Sequence, residues 1–198
     1  MAALNTYELS TMLHQVANRP SKMIALGVFP ADHLPSMRSL RTALANAPLC
    51  CMIANTDPAN RPGTHWVLFI ASLTRGIVHL EYFDSYGLPI MLHTALYTSC
   101  ICLHYVSQIR KCNTLTLQAT TSSVCGHYCL LVAHFRAIGN SFDFIVSYLR
   151  SFSPITLERD KIVVRALHSV LHHSSNTLCM YSKCLTKGKG QSCCSATK

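Results

Sequence analysis

A chain of 198 residues, 49% of them hydrophobic and only 13% charged, has apolar material for one real core, too little length for two, and too little charge for general disorder. Its apolar runs break well before membrane-spanning length, and no cationic start precedes an apolar stretch at the N-terminus, so neither a transmembrane helix nor a signal peptide is expected. The formal net charge of +9 favours polyanionic partners such as nucleic acid, although Lys and Arg form no clustered or periodic pattern that would name one.

In chain order, residues 4–17 read as an amphipathic helix. Asn5 and Glu8 have capping-box spacing, and Leu9, Met12, Leu13 and Val16 share a face. Residues 20–35 read as irregular, punctuated by Gly27, Pro30 and Pro35. Residues 49–54 form a buried central strand, 57–63 a Pro/Gly loop and 65–71 a second buried strand. The Arg75-Gly76 turn leads into a third strand over 77–83, where Ile77, His79 and Glu81 alternate with Val78, Leu80 and Tyr82. Residues 89–106 are ambiguous, helical at first, and 114–117 is a short β-prone run. Residues 125–138 make the strongest helix, long and apolar and stopped by Gly139. Further helices follow over 142–149 and 157–173, the latter with Leu157, Ile162, Val163, Ala166, Leu167 and Val170 on its apolar side. From about residue 174, Ser, Lys, Gly and Cys dominate and periodicity ends. The chain therefore divides into one domain over 1–175, opened by the helix within 1–19, and a basic, poorly ordered tail over 176–198.

Eleven cysteines is a high and odd count. Cys50, Cys51 and Cys129 lie inside apolar segments, where cysteine serves as a small buried hydrophobe. There is no Asn-x-Ser/Thr acceptor. Both features point to an intracellular, reducing environment rather than a secreted disulfide scaffold.

Four polar positions stand at element boundaries. His65 opens a strand and Asp84 closes one; taken singly, such residues are most often surface, capping or turn residues. Gln118 has no meaning alone. Cys125 lies between the polar run 120–123 and an apolar helix, where the positive end of the dipole and the free N–H groups favour thiolate. Gly126 beside it would let a substrate backbone approach. Together they supply base, carboxylate, amide donor and thiol, the parts of a cysteine protease.

The ordered set His65-Trp66, Phe83-Asp84-Ser85-Tyr86-Gly87 and Gln118-x6-Cys125-Gly126-His127-Tyr128-Cys129 resembles the adenovirus protease (adenain) family. That group extends to the cysteine proteases of Maverick/Polinton elements and adintovirus-like viruses and, more distantly, to the Ulp/SENP deSUMOylating proteases. The resemblance spans roughly residues 20–150. It implies an α+β fold with a mixed central sheet packed against the nucleophile-bearing helix. It also implies Cys125 as nucleophile, His65 as general base and then acid, and Asp84 as orienting carboxylate. Gln118 and the Cys125 N–H would hold the oxyanion. Adenain has Glu at the third position and the Ulp branch Asp; Val124 before the nucleophile is adenain-like, the Ulp branch having Asp there. Relatives favour small residues, often glycines, at the scissile bond, so Trp66 is either the roof of a narrow substrate tunnel or a core residue. Adenain is stimulated by DNA and by a peptide disulfide-linked upstream of its Gln. Cys112 stands 118 − 112 = 6 residues upstream, shorter than the family interval, so the peptide mechanism is not carried over.

The expected activity is a cysteine endopeptidase that cleaves viral or transposon-encoded virion precursor proteins at Gly-containing sites. No cofactor is required for the chemistry; DNA could stimulate it through the basic surface. The chain is expected to act as a monomer, away from membranes, in host nucleus or cytoplasm and in the virion. One alternative is a deubiquitinase or deSUMOylase acting on a ubiquitin-like Gly-Gly tail. The non-enzymatic alternative is a basic DNA- or zinc-binding protein. Two ligand-rich sets support the zinc version: Cys125, His127, Cys129 and His134, which share no single helix face, and Cys179, Cys184, Cys193 and Cys194, which lack paired C-x-x-C knuckles. No metal is expected.

Overall fold

The computed structural model describes residues 2–18 and 22–172. The tail assigned to 176–198, with its four cysteines, lies outside the described residues.

The N-terminal helix α1 (Thr6–Asn18) starts at the expected capping box. The Glu8 N–H donates to Asn5 Oδ1 at 3.0 Å, and the Asn5 N–H donates to Glu8 Oε2 at 2.9 Å. Strand β1 (Met23–Phe29) follows, in a stretch read above as irregular. Helix α2 (Met37–Leu44) is capped by Ser36, whose hydroxyl accepts from the Ser39 N–H at 3.2 Å. Then come β2 (Leu49–Asn55), β3 (Trp66–Thr74) and β4 (Ile77–Phe83). Between β3 and β4, Arg75 and Gly76 both take positive φ (51° and 77°), the requirement of a tight hairpin turn.

A 3-10 turn at Ile90–Leu92 and helix α3 (Thr94–Cys102) lead to β5 (Ile109–Cys112). The fifth strand thus falls a few residues before the β-prone 114–117 run. Helices α4 (Cys125–Ala137), α5 (Phe142–Ser151) and α6 (Thr156–His172) complete the described chain at nearly the expected bounds.

The sheet runs in sequence order, β1-β2-β3-β4-β5. The outer pairs β1·β2 and β4·β5 are parallel; the inner pairs β2·β3 and β3·β4 are antiparallel. Parallel neighbours need a crossover, and α2 and α3 lie within those two connections. Strand β5 at the edge is largely exposed, whereas the central strands are covered on both faces. On one, Cys51, Ile53, Leu68, Ile70 and Phe83 pack with apolar residues of α1, α4, α5 and α6. On the other, Cys50, Met52, Val67, Phe69, Leu80 and Tyr82 pack with α2 and α3. The β2 run Leu49–Ala54 is apolar throughout because both of its faces are covered. Arg136 near the end of α4 grips Glu81 of β4 with two bonds of 2.7 and 3.1 Å, tying this helix to the sheet.

Candidate active site

His65 immediately precedes β3 and Asp84 immediately follows β4. Leu68 pairs with Phe83, so both side chains emerge at the same end of adjacent strands. The imidazole Nε2–H donates to Asp84 Oδ1 at 2.9 Å. That leaves Nδ1, which has no complete hydrogen bond, as the nitrogen open to Cys125, the imidazole's other hydrogen-bonding neighbour. A carboxylate on Nε2 selects the tautomer whose Nδ1 lone pair can take a thiol proton. Cys125 is the first residue of α4, and no side chain caps that helix end. The N–H groups and positive dipole end at this helix start therefore lie uncapped beside Cys125. His65 and Cys125 are each 7% exposed, while Asp84 and Gln118 are completely buried.

Burial opposes charging of His65. The Asp84 and Cys125 hydrogen bonds and their negative charge outweigh it, pushing the imidazole up to about 9. Burial also works against an ionised Asp84, but bonds from His65 and His93, the His65 charge and the Tyr86 N–H bring it down to about 2. Four other cysteines lack this setting. Burial alone pushes Cys50 and Cys100 up to about 12, and burial with neighbouring negative charge raises Cys51 and Cys129 further. They behave as apolar packing residues, not nucleophiles.

Asp84 holds more partners than the sequence suggested. His93 Nε2 donates to its Oδ2 at 2.8 Å, and the Tyr86 N–H donates to Oδ1 at 2.7 Å. Asn113 fixes its backbone from both sides, accepting from the Asp84 N–H at 2.9 Å and donating to the Asp84 carbonyl at 2.6 Å. Tyr86 stacks on His65 with ring centroids 4.7 Å apart. Nothing in the spacing of His93, in a segment read only as ambiguous, marked it for this role.

Gln118 stands beside this group. Its Oε1 accepts from the Ser85 hydroxyl at 2.7 Å; its Nε2 donates to the Ser122 carbonyl at 2.7 Å and to the Tyr86 hydroxyl at 3.1 Å. The amide's orientation is thus specified, with one proton held internally and the other directed at Tyr86.

Trp66 is half-buried and packs at the edge of the core that contains α4; its carbonyl accepts from the Cys129 thiol at 3.5 Å. The space beside Gly126 is filled from inside. A Cβ there would lie 2.8 Å from Leu9, itself fully buried on α1. The contact that requires glycine is therefore helix packing, a different reason from the clearance for substrate read from the sequence.

Among the described residues, the metal-capable groups that converge are His65, Asp84 and His93, with ligand atoms within 4.8 Å of one another. The set built on Cys125, His127, Cys129 and His134 does not converge, and the C-terminal cysteine set lies outside the described residues. Both imidazoles already donate to the carboxylate, which accounts for the cluster without an ion.

This chain has the adenain/Ulp-like cysteine protease fold, an α+β arrangement with a mixed five-stranded sheet. The ASFV pS273R protease, in selenomethionine form, superposes with a TM-score of 0.55 at 16% identity, over 88% of this chain and 69% of that one. A second structure of the same viral protease gives 0.54 at 16% identity, over 82% of this chain and 66% of the other. ChlaDub1 from Chlamydia trachomatis gives 0.50 at 14% identity, over 89% of this chain and 96% of that one. At such identities the likeness is one of fold. No protein-family model and no curated protein sequence matches the chain.

Proposed function

We propose that the chain is a cysteine endopeptidase in which Cys125, His65 and Asp84 form the catalytic triad. The observation that carries this reading is the convergence of a helix-start thiol, an imidazole with one nitrogen free, and a buried carboxylate on its other nitrogen. His65 Nδ1 takes the Cys125 proton and the sulfur attacks the scissile carbonyl. The Cys125 N–H and Gln118 Nε2 hold the developing oxyanion, the Gln118 proton now on Tyr86 turning to the substrate oxygen. Collapse expels the amine, which takes its proton from His65, and leaves a thioester that water hydrolyses.

The favoured substrates are virion precursor proteins cut beside glycine, with Trp66 at the substrate channel. Sequence resemblance supports both points, and the net charge of +9 supports stimulation by DNA. The unpaired Cys50, Cys51, Cys100 and Cys129 favour a reducing compartment. No described helix is long and apolar enough to cross a membrane.

Hydrolysis of a Leu-x-Gly-Gly fluorogenic peptide library under reducing conditions tests the reading, with wild type against Cys125→Ala, with and without DNA. Thiol-dependent cleavage lost in the variant is expected. A folded wild type that cleaves no peptide, and whose Cys125 takes no thiol-reactive probe, would overturn it. Preference for ubiquitin-like fusions over capsid-type peptides would move the substrate class to ubiquitin-like tails.

A further inference from the structure

We propose that Asp160 is a positioning residue that aims the Gln118 oxyanion donor through Ser122. The inference rests on the protease reading above. Gln118 lies between β5 and α4, in a connection with neither helix nor strand. Such connections are ordinarily the mobile part of a fold. This one is clamped from two sides.

From the sheet side, the Leu117 and Gln118 N–H groups both donate to the Ser85 carbonyl, at 2.9 and 3.0 Å, and the Ser85 hydroxyl holds Gln118 Oε1. From the other side comes Asp160, in the first turns of α6 and completely buried. Its Oδ2 accepts from the Ser122 hydroxyl at 2.6 Å and from the Ala119 N–H at 3.2 Å. Its Oδ1 accepts from the Tyr128 hydroxyl at 2.9 Å. Tyr128 belongs to α4, one turn from Cys125. Next to Asp160, Arg159 donates to the Leu117 carbonyl at 2.8 Å.

Each of these Asp160 partners lies on the Gln118 segment or on the nucleophile helix. A buried carboxylate is expensive unless fully hydrogen-bonded, and helix α6 has no local need of one. The connection from Asp160 to the chemistry is short. The carboxylate fixes the Ser122 hydroxyl, and the Ser122 carbonyl takes one Gln118 amide proton at 2.7 Å. With that proton held and Oε1 engaged by Ser85, the remaining proton is the one given to the Tyr86 hydroxyl at 3.1 Å, and it alone is free to turn to a substrate oxygen. Without the Ser122 anchor the amide can rotate, and an Oε1 turned to the cleft would repel an oxyanion.

The test compares wild type with Asp160→Asn, Ser122→Ala and Ser153→Ala. Ser153 bonds Glu158 and the Ile155 N–H at the start of α6 and serves as a control for that helix end. Three quantities are read: kcat and KM for a cleaved peptide, affinity for the matching peptide aldehyde, and the rate of Cys125 alkylation by iodoacetamide. Alkylation needs the thiolate but no oxyanion hole. Asp160→Asn and Ser122→Ala are expected to lower kcat and aldehyde affinity about tenfold or more, since small misplacement of an oxyanion donor has effects of that order. KM and alkylation should change less than about twofold, a window well inside that effect. Ser153→Ala should keep the wild-type ratio of hydrolysis to alkylation.

Should Asp160→Asn not fold, Ser122→Ala decides, because it removes a single hydroxyl. Parallel loss of hydrolysis and alkylation, or full hydrolysis in Ser122→Ala, would overturn the proposal. A wild type that cleaves nothing and binds no aldehyde would instead remove the protease reading and this inference with it.

Discussion

Asp84 is shared by two imidazoles, and this governs how the site responds to pH. His65 is raised to about 9, so its contribution to stability is complete below the ordinary value of 6.5 and is lost as pH rises through about 9. Asp84 is depressed to about 2, so its contribution is present above 3.8 and is lost as pH falls through about 2. Activity should follow the same upper boundary. Above about 9, His65 has no proton for the leaving amine, so peptide hydrolysis should fall while iodoacetamide alkylation of Cys125 does not. A pH profile of both rates checks this; alkylation falling together with hydrolysis would contradict it. Asp84→Asn should reduce kcat by about 100-fold or more, because an amide can impose the wrong tautomer on His65. Steady-state kinetics at neutral pH measure it.

At this scale the sequence was informative where a polar residue interrupted a boundary of apolar structure. His65, Asp84 and Cys125 stand at a strand start, a strand end and a helix start, and the fold brings their side chains together. His93, Asn113 and Asp160 could not be found that way. Their roles depend on chain separations of 9, 29 and 38–41 residues, with no local pattern to announce them.

At the scale of elements, the longer helices α1, α4, α5 and α6 were legible, and so were the central strands; the eight-residue α2, although capped by Ser36, was not. Strand β1 was not, because Gly27 breaks its pattern and prolines flank it. That glycine has φ 128° where the β1·β2 register shifts, so the punctuation marks a bulge within the strand, not the absence of one. The fifth strand left no signal of its own: 114–117 has better β-formers than Ile109–Cys112, whose register opposite Leu80–Tyr82 is set by tertiary packing.

Two glycines carry stability predictions here. Gly87 turns the chain after Asp84 with φ 70°, and a Cβ would lie 2.7–2.8 Å from the backbone of Thr114 and Leu115. Gly87→Ala should cost about 2 kcal/mol or more, from the left-handed backbone and the overlap together. Gly126→Ala should cost about 1–3 kcal/mol through Leu9, a buried side chain with little room to yield. Denaturant midpoints measure both; unchanged midpoints would contradict the packing described.

At the scale of the whole molecule, the sheet separates two apolar layers, and the start of β3 and the end of β4 meet the start of α4, which is where the polar residues collect. That placement explains why a chain with so few charged residues can bury His65, Asp84, Gln118 and Asp160 together: each is hydrogen-bonded within the group that needs it. Separate strands and helices were readable from alternating and continuous apolar runs, while their arrangement as a mixed sheet against α4 followed from the family resemblance. The covering of both sheet faces was not, since α2 left no clear signal of its own.

In the proposed reaction Cys125 forms a covalent acyl intermediate. The most direct measurement is acid-quenched mass spectrometry of the protein mixed with a Gly-containing peptide ester, followed by mapping of the modified residue. A transient thioester adduct on Cys125 is expected, turning over in wild type and absent in Cys125→Ala. An adduct on another cysteine, or none on a folded protein whose Cys125 remains unreactive, would contradict it.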